Sequence, residues 1–224
     1  MDIAVQRVID WVNKGDKDET LDLRLLSLTE LPQLPEGLKH LDCSDNFFES
    51  LPALPSTLET LVCEDCGIQN TPELPTTLRV LKCGLNSFPL PNPLPPALEI
   101  LKCNSSGHTS LPPFPPSLKY LYCQVNELTD LDETLSLTNL IELDCSMNKL
   151  TSLPPLPTTL EDLECYENNL NSLTLPDSIV HVNCCYNEEL VAIHGNYLSN
   201  LESIKYFGCP ANSLPPFPSY VYED

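Results

Sequence analysis

Eleven cysteines and four histidines are the side chains of this 224-residue chain best suited to bind metal, attack a carbon centre or exchange electrons. Eight of the cysteines, Cys43, Cys63, Cys83, Cys103, Cys123, Cys145, Cys165 and Cys184, advance by 20 residues four times and then by 22, 20 and 19. Cys66 lies three residues past Cys63, Cys209 lies three past Tyr206, and Cys185 directly follows the series. A structural zinc site would need four convergent ligands. Cys63-x-x-Cys66 is half of one and His181-x-x-Cys184-Cys185 a loose triplet, with no second pair in frame. A reactive Cys185 would need a cationic neighbour to lower its pKa, and only His181 stands close in sequence. His40, His108, His181 and His194 fall in different repeats, and seven glycines form no phosphate loop. The residues therefore argue for no catalytic centre, no metal and no cofactor. A redox-sensitive or metal-binding cysteine-rich protein is the alternative reading.

The cysteine spacing belongs to a frame. Leu38-x-x-Leu41-x-Cys43 returns as Leu58…Leu61-x-Cys63, Leu78…Leu81-x-Cys83, Leu98…Leu101-x-Cys103 and Leu118…Leu121-x-Cys123. It continues through Leu140…Cys145, Leu160…Cys165 and Ile179…Cys184. Self-similarity at a fixed period near 20 is the signature of a leucine-rich repeat solenoid. Alternation along an extended strand sends Leu and Cys of Leu-x-Cys to one side, the core, and the residue between them to the other. Three residues after the cysteine stand Asn46, Asn86, Asn126, Asn148, Asn168 and Asn187, with Cys66, Ser106 and Cys209 as variants. A side chain there bonds the backbone as the chain leaves the strand.

The return limb reads Leu51-Pro52-Ala53-Leu54-Pro55 and Leu153-Pro154-Pro155-Leu156-Pro157. Proline fixes φ and donates no hydrogen bond, so this convex limb is expected as extended, polyproline-like chain. Two limbs depart from the pattern, 132–139 and 192–200, and a short helical turn is expected in each. At the start, Ile3, Val5, Val8, Ile9 and Val12 repeat at helical spacing between a capping Asp2 and a stopping Gly15. The open end of a repeat stack needs such a cap. The predicted organisation is residues 1–20 as capping helix and linker, with Trp11 covering the first repeat. Residues 21–224 then form a solenoid of about ten repeats, closed by the aromatics around Tyr220 and Tyr222.

The consensus Leu-x-x-Leu-x-Cys-x-x-Asn-x-Leu-x-x-Leu-Pro-x-Leu-Pro resembles the short bacterial-type repeats of type III secreted effectors. That group includes the Yersinia outer-protein-M-like and Shigella invasion-plasmid-antigen-H-like proteins. The cysteine-containing form is similar to repeat proteins of giant viruses and intracellular bacteria. The resemblance spans residues 21–218 and implies a curved parallel sheet used for protein recognition. Some members add a ubiquitin-ligase domain with a Cys-x-Asp nucleophile. Cys43-Ser44-Asp45 and Cys63-Glu64-Asp65 match that tripeptide but fall in strand-core frames, so the resemblance implies a recognition module without the ligase.

Charge narrows the partners. Thirty-two acidic against eleven basic residues give a formal charge of −21, which repels phosphate backbones. No stretch approaches 18 apolar residues, so no membrane span is expected. Free thiols and the absence of a secretory leader pattern place the chain in a reducing cytoplasm, the host's if it is an effector or viral protein. The outward columns change character together along the repeats. Val80, Lys82, Ile100, Lys102, Tyr120 and Tyr122 are apolar, aromatic and basic; Glu142, Asp144, Asp162, Glu164 and Tyr166 follow as an acidic block. Leu85, Val125 and Met147 extend the apolar strip along its edge. This concave surface is expected to bind, as a monomer, a protein partner with an apolar anchor and a basic segment.

Overall fold

The computed structural model describes residues 2–131, 138–196 and 198–210, which fall in two compact units, Met1–Ser106 and Gly107–Asp224. The first unit contains α1 (Ile3–Lys14) and the strands β1 (Leu21–Asp22), β2 (His40–Asp42), β3 (Thr60–Val62), β4 (Val80–Lys82) and β5 (Ile100–Lys102). Each strand pairs in parallel with the next, leucine opposite leucine, from Leu21↔Leu41 to Leu81↔Leu101. The second unit contains β6 (Tyr120–Tyr122), β7 (Glu142–Asp144), β8 (Asp162–Glu164), β9 (Ser172–Thr174), β10 (His181–Asn183), β11 (Ala192–His194) and β12 (Ser203–Lys205). There β6, β7, β8, β10 and β12 stack in that order, with Leu121, Leu143, Leu163, Val182 and Ile204 in register. This is the parallel stack of a leucine-rich solenoid, one strand per repeat. Among the described residues α1 is the single helix, and none is long and apolar enough to cross a membrane.

Burial follows the period of two. Leu41, Leu61, Leu101, Leu121 and Leu143 are fully buried, as are Cys43, Cys63, Cys103, Cys123 and Cys145, while the residues between them are half-buried. Five residues past the cysteine a second apolar series, Phe48, Ile68, Phe88, Leu128, Leu150 and Leu170, closes the core from the turn side. Each fully buried large side chain contributes about 1.5–3 kcal/mol. That attraction is non-directional, so something else must hold the register.

The slot asparagines do this. Asn86 Nδ2 donates to the carbonyls of Cys83 (3.0 Å) and Gly84 (3.1 Å) in its own repeat and of Cys63 (2.8 Å) in the one before. Its Oδ1 accepts from the backbone N–H groups of Ile68 (3.0 Å) and Cys66 (3.3 Å). Asn46, Asn148, Asn168 and Asn187 also bond to both their own repeat and the preceding one. Where cysteine replaces asparagine the donor survives and the acceptor does not. Cys66 Sγ donates to the carbonyls of Cys43 (3.2 Å) and Glu64 (3.3 Å), and Phe48 N–H bonds the backbone carbonyl of Cys66 at 2.7 Å instead.

The proline limb carries its own fastening. The carbonyls of Pro55, Pro75, Pro95, Pro115, Pro157 and Pro176 accept from the N–H three residues on, turning the chain back toward the strand. The hydroxyl next to the strand's first apolar residue then reaches the previous repeat: Thr57 to the Leu38 carbonyl (2.8 Å), Thr77 to Leu58 (2.7 Å), Thr159 to Leu140 (2.7 Å) and Ser178 to Leu160 (2.6 Å). Two residues after the cysteine, the chain adopts left-handed backbone at Asp45, Asp65, Leu85, Ser105, Val125, Met147 and Glu167, with φ between 50° and 58°. β-Branched Val125 is the least suited to that conformation.

Two expectations are corrected. Residues 192–194 form strand β11, not a helical turn, and pair in parallel with β9 as a second, two-stranded sheet in register Ile193↔Leu173. Thr174 stands where other limbs carry the proline of Leu-Pro, so the limb keeps the N–H groups that a ladder needs; Leu175 N–H bonds the His194 carbonyl at 2.8 Å. The other departing limb lies largely on residues 132–137, outside the described residues, as does the aromatic closure at Leu214–Pro218, Tyr220, Val221 and Tyr222. In α1, Asp2 accepts from Ala4 N–H (3.0 Å) and Gly15 ends the helix at φ 71°. Only Ala4 and Trp11 are buried, with Trp11 Nε1 donating to the Glu19 carbonyl (2.8 Å) and Arg7 to that of Asp22 (2.9 Å). Ile3, Val5, Ile9 and Val12 stay exposed, because the face aimed at β1 is the one bearing Ala4, Arg7 and Trp11.

Asn86→Ala removes the side-chain partner of five backbone groups, of which the Gly84 carbonyl keeps the Asp65 N–H, and is expected to cost roughly 2–4 kcal/mol in urea unfolding. Asn86→Cys should cost clearly less, because Cys66 already works as a donor in that slot. Val125→Asn, which suits a left-handed residue, should raise stability by about 0.5–1 kcal/mol in the same assay.

Candidate functional site

The eleven surface residues singled out by column all lie on the outer sheet face, each half-buried, and they resolve into one cluster per unit. In the first unit β4 and β5 set Val80 opposite Ile100 and Lys82 opposite Lys102. Just past these strands Gly84 lies under Asn104. A Cβ on Gly84 would stand 2.6 Å from Asn104 Oδ1 and 2.9 Å from its backbone carbonyl, so any larger residue must shift the Asn104 backbone as well as its side chain.

In the second unit one column runs Tyr120↔Glu142↔Asp162 and its neighbour Tyr122↔Asp144↔Glu164. Parallel strands stand about 4.8 Å apart, so four carboxylates occupy two adjacent strands, with Tyr166 beside them. Like charges directly opposite repel. Burial and the neighbouring Asp144 and Asp162 push the Glu164 carboxyl above its ordinary value, against a hydrogen bond from Asn183 and the charge of Lys205. Burial and a hydrogen bond to Glu142 hold the Tyr122 hydroxyl protonated well beyond its usual range. Burial, Asp144 and Glu164 shift Tyr166 the same way.

The residues considered for chemistry are placed differently. Burial pushes the Cys63, Cys83, Cys145 and Cys165 thiols far up, and Cys103 to about 12. Cys43 rises too, through its hydrogen bond with Cys66 and through burial. The two Cys-x-Asp tripeptides thus lack an accessible thiolate. Cys185 is half-buried and desolvation raises its thiol. His40 bonds the Thr60 hydroxyl (2.9 Å) and His181 that of Ser203 (3.1 Å), each on the adjacent strand of its own unit. Among the described residues no three His, Cys, Asp or Glu side chains converge on a metal-sized site.

Sequence columns set Leu85, Val125 and Met147 on the edge of the apolar strip, and the structure makes them its more open part. Val80, Ile100, Tyr120 and Tyr122 are half-covered by their neighbours, whereas the apolar residues at the left-handed turn position are more open: Leu85 is 51% exposed, Val125 42%, Met147 39% and Tyr186 51%. Tyr186 packs edge-on against exposed Phe207, ring centres 5.6 Å apart. The signal was present as non-glycine residues two places past each cysteine, but only the backbone shows that φ > 0 swings them outward.

Comparison with known proteins agrees with this architecture. The family described as leucine-rich repeats (2 copies) matches residues 116–158. Among solved structures, YopM from Yersinia enterocolitica is 28% identical with a TM-score of 0.76 over 98% of this chain; the chain spans 53% of that protein's length. A Shigella effector LRR domain is also 28% identical, with a TM-score of 0.66 over 75% of this chain and 77% of its own. YopM from Yersinia pestis shares the fold at 22% identity, with a TM-score of 0.56 over 98% of this chain and 85% of its own. No curated protein matches the sequence. The chain folds as a leucine-rich repeat solenoid and resembles the short bacterial-type repeat domains of type III secreted effectors.

Proposed function

We propose that this chain recognises another protein through its outer sheet face, working by binding and without catalysis of its own. The observation that carries the reading is the register Glu142↔Asp162 and Asp144↔Glu164, which concentrates four carboxylates around Glu164, whose carboxyl is raised first by burial and then by Asp144 and Asp162. An isolated fold gains nothing from that repulsion. A cationic partner offsets it, which suits a basic segment lying on the acidic columns with an apolar anchor against Tyr120 and Tyr122. The likeness to effector repeat domains supports a role in the cytoplasm of a host cell, where binding alone would interfere with signalling by occupying a partner.

The reading is tested with a lysine-rich peptide carrying one aromatic residue, by calorimetry at low and high salt. Binding should weaken with salt, and Glu142→Gln with Asp162→Asn should lower affinity at least tenfold; an unchanged affinity would sink the proposal. Glu164→Gln separates binding from folding. A raised carboxyl pKa contributes stability only on the acid side and loses it as pH rises through that pKa. The substitution should therefore raise stability at neutral pH by roughly a few tenths of a kcal/mol, screened as the group is half-exposed. It should weaken the peptide in the same sample. A loss of stability would show that Glu164 serves the fold.

A further inference from the structure

Two cysteines occupy the asparagine slot in the described residues, and each meets the core cysteine of the repeat before it. Cys66 Sγ donates to the Cys43 carbonyl at 3.2 Å, and Cys209 Sγ to the Cys184 carbonyl at 3.0 Å. The core partners match as well: Cys43 Sγ donates to the Val62 carbonyl (3.5 Å) and Cys184 Sγ to that of Lys205 (3.3 Å). In both pairs the slot sulfur, once ionised, would accept a hydrogen bond from the core thiol. Core cysteines of successive strands carry parallel side-chain vectors, which suit a disulfide poorly. A slot cysteine comes from the turn, outside that ladder, and its sulfur lies against the carbonyl of the core cysteine.

The pairs differ in access. Cys43 and Cys66 are both fully buried, whereas Cys184 is buried beneath a partly exposed Cys209. We infer that Cys184 and Cys209 form a thiol–disulfide exchange site that takes low-molecular-weight disulfides, with Cys209 attacking and Cys184 resolving. The Cys209 thiolate attacks one sulfur of the small disulfide, forming a mixed disulfide and releasing one small thiolate. Cys184 gives up its proton and attacks the Cys209 sulfur, forming the Cys184–Cys209 bond and expelling the second small thiol. Two protein thiols are oxidised and one small disulfide is reduced to two thiols. Attack by Cys209 is helped by donors on its sulfur, the Cys184 thiol and the Asn187 N–H, which lower its pKa, although the Cys184 carbonyl favours the protonated form. Neighbouring Cys185, raised by desolvation, is the poorer nucleophile. The sealed Cys43–Cys66 pair is an internal control with the same geometry and no entry path.

The full chain, reduced and then exposed to glutathione disulfide near neutral pH, is mapped after trypsin, which cuts at Lys205 and so separates Cys184 from Cys209. The expected product links the peptides 150–205 and 206–224, persists in Cys185→Ser, and leaves Cys43 and Cys66 reduced. Cys209→Asn restores the usual slot amide, so it should keep the wild-type circular dichroism and lose the link entirely. The inference is overturned by a link that disappears in Cys185→Ser. It is equally overturned by glutathione remaining on Cys209 as the end product, by oxidation of Cys43–Cys66 at the same rate, or by no reaction at all.

Discussion

A buried amide at one position per repeat is the constraint on which this structure rests. Leucine and cysteine burial supplies most of the attraction between repeats, but an apolar stack tolerates sliding because its contacts have no preferred direction. The slot asparagine removes that freedom. Its two donors and its carbonyl oxygen meet backbone groups of two successive repeats at once, as at Asn46 and Asn168. A shift by one residue would leave those groups buried without partners, which is far costlier than the loss of an exposed hydrogen bond. Cys66 shows the tolerance of the device: a thiol keeps the donor side, and the backbone takes over the rest.

With register secured, the rest of the repeat is free to be short. Proline gives a return limb that needs no ladder, and a single Thr or Ser hydroxyl fastens it to the limb before. Where Thr174 replaces proline the limb reverts to what an unhindered backbone does beside another extended chain, and β9 pairs with β11. The left-handed residue after each strand is the backbone cost of so tight a turn. It also dictates that whatever side chain stands there points outward, which is how Leu85, Val125 and Met147 become the open apolar residues of the face.

The candidate site sits on positions the scaffold does not need. Between the buried leucine and cysteine, any residue is compatible with the stack, so composition there is released from packing. Aligned carboxylates on β7 and β8 carry a repulsion that is felt by Glu164 and is unrelated to holding the fold together. The same freedom applies to the slot: asparagine is the better fastener, yet Cys209 leaves a thiol against Cys184 at a partly exposed position.

The repeat period, the inward Leu-x-Cys pair, the asparagine turn and the outward columns were all legible in the chain, because each depends on short-range periodicity that strand geometry translates directly into position. The Thr57-type hydroxyl fastening was equally visible as a recurring Pro-x-Thr-Leu, yet its purpose is not, since its acceptor lies 19 residues away in the chain. What tertiary structure alone decided is what depends on neighbours in space. Residues 192–194 look helical in isolation and become strand because β9 offers unblocked hydrogen-bonding groups. The apolar stripe of α1 stays largely outside because Trp11 and Arg7 find partners on the other face. Cys209, one more variant of the slot in sequence, meets Cys184 only once two repeats are stacked, and contact between residues 25 apart is set by packing.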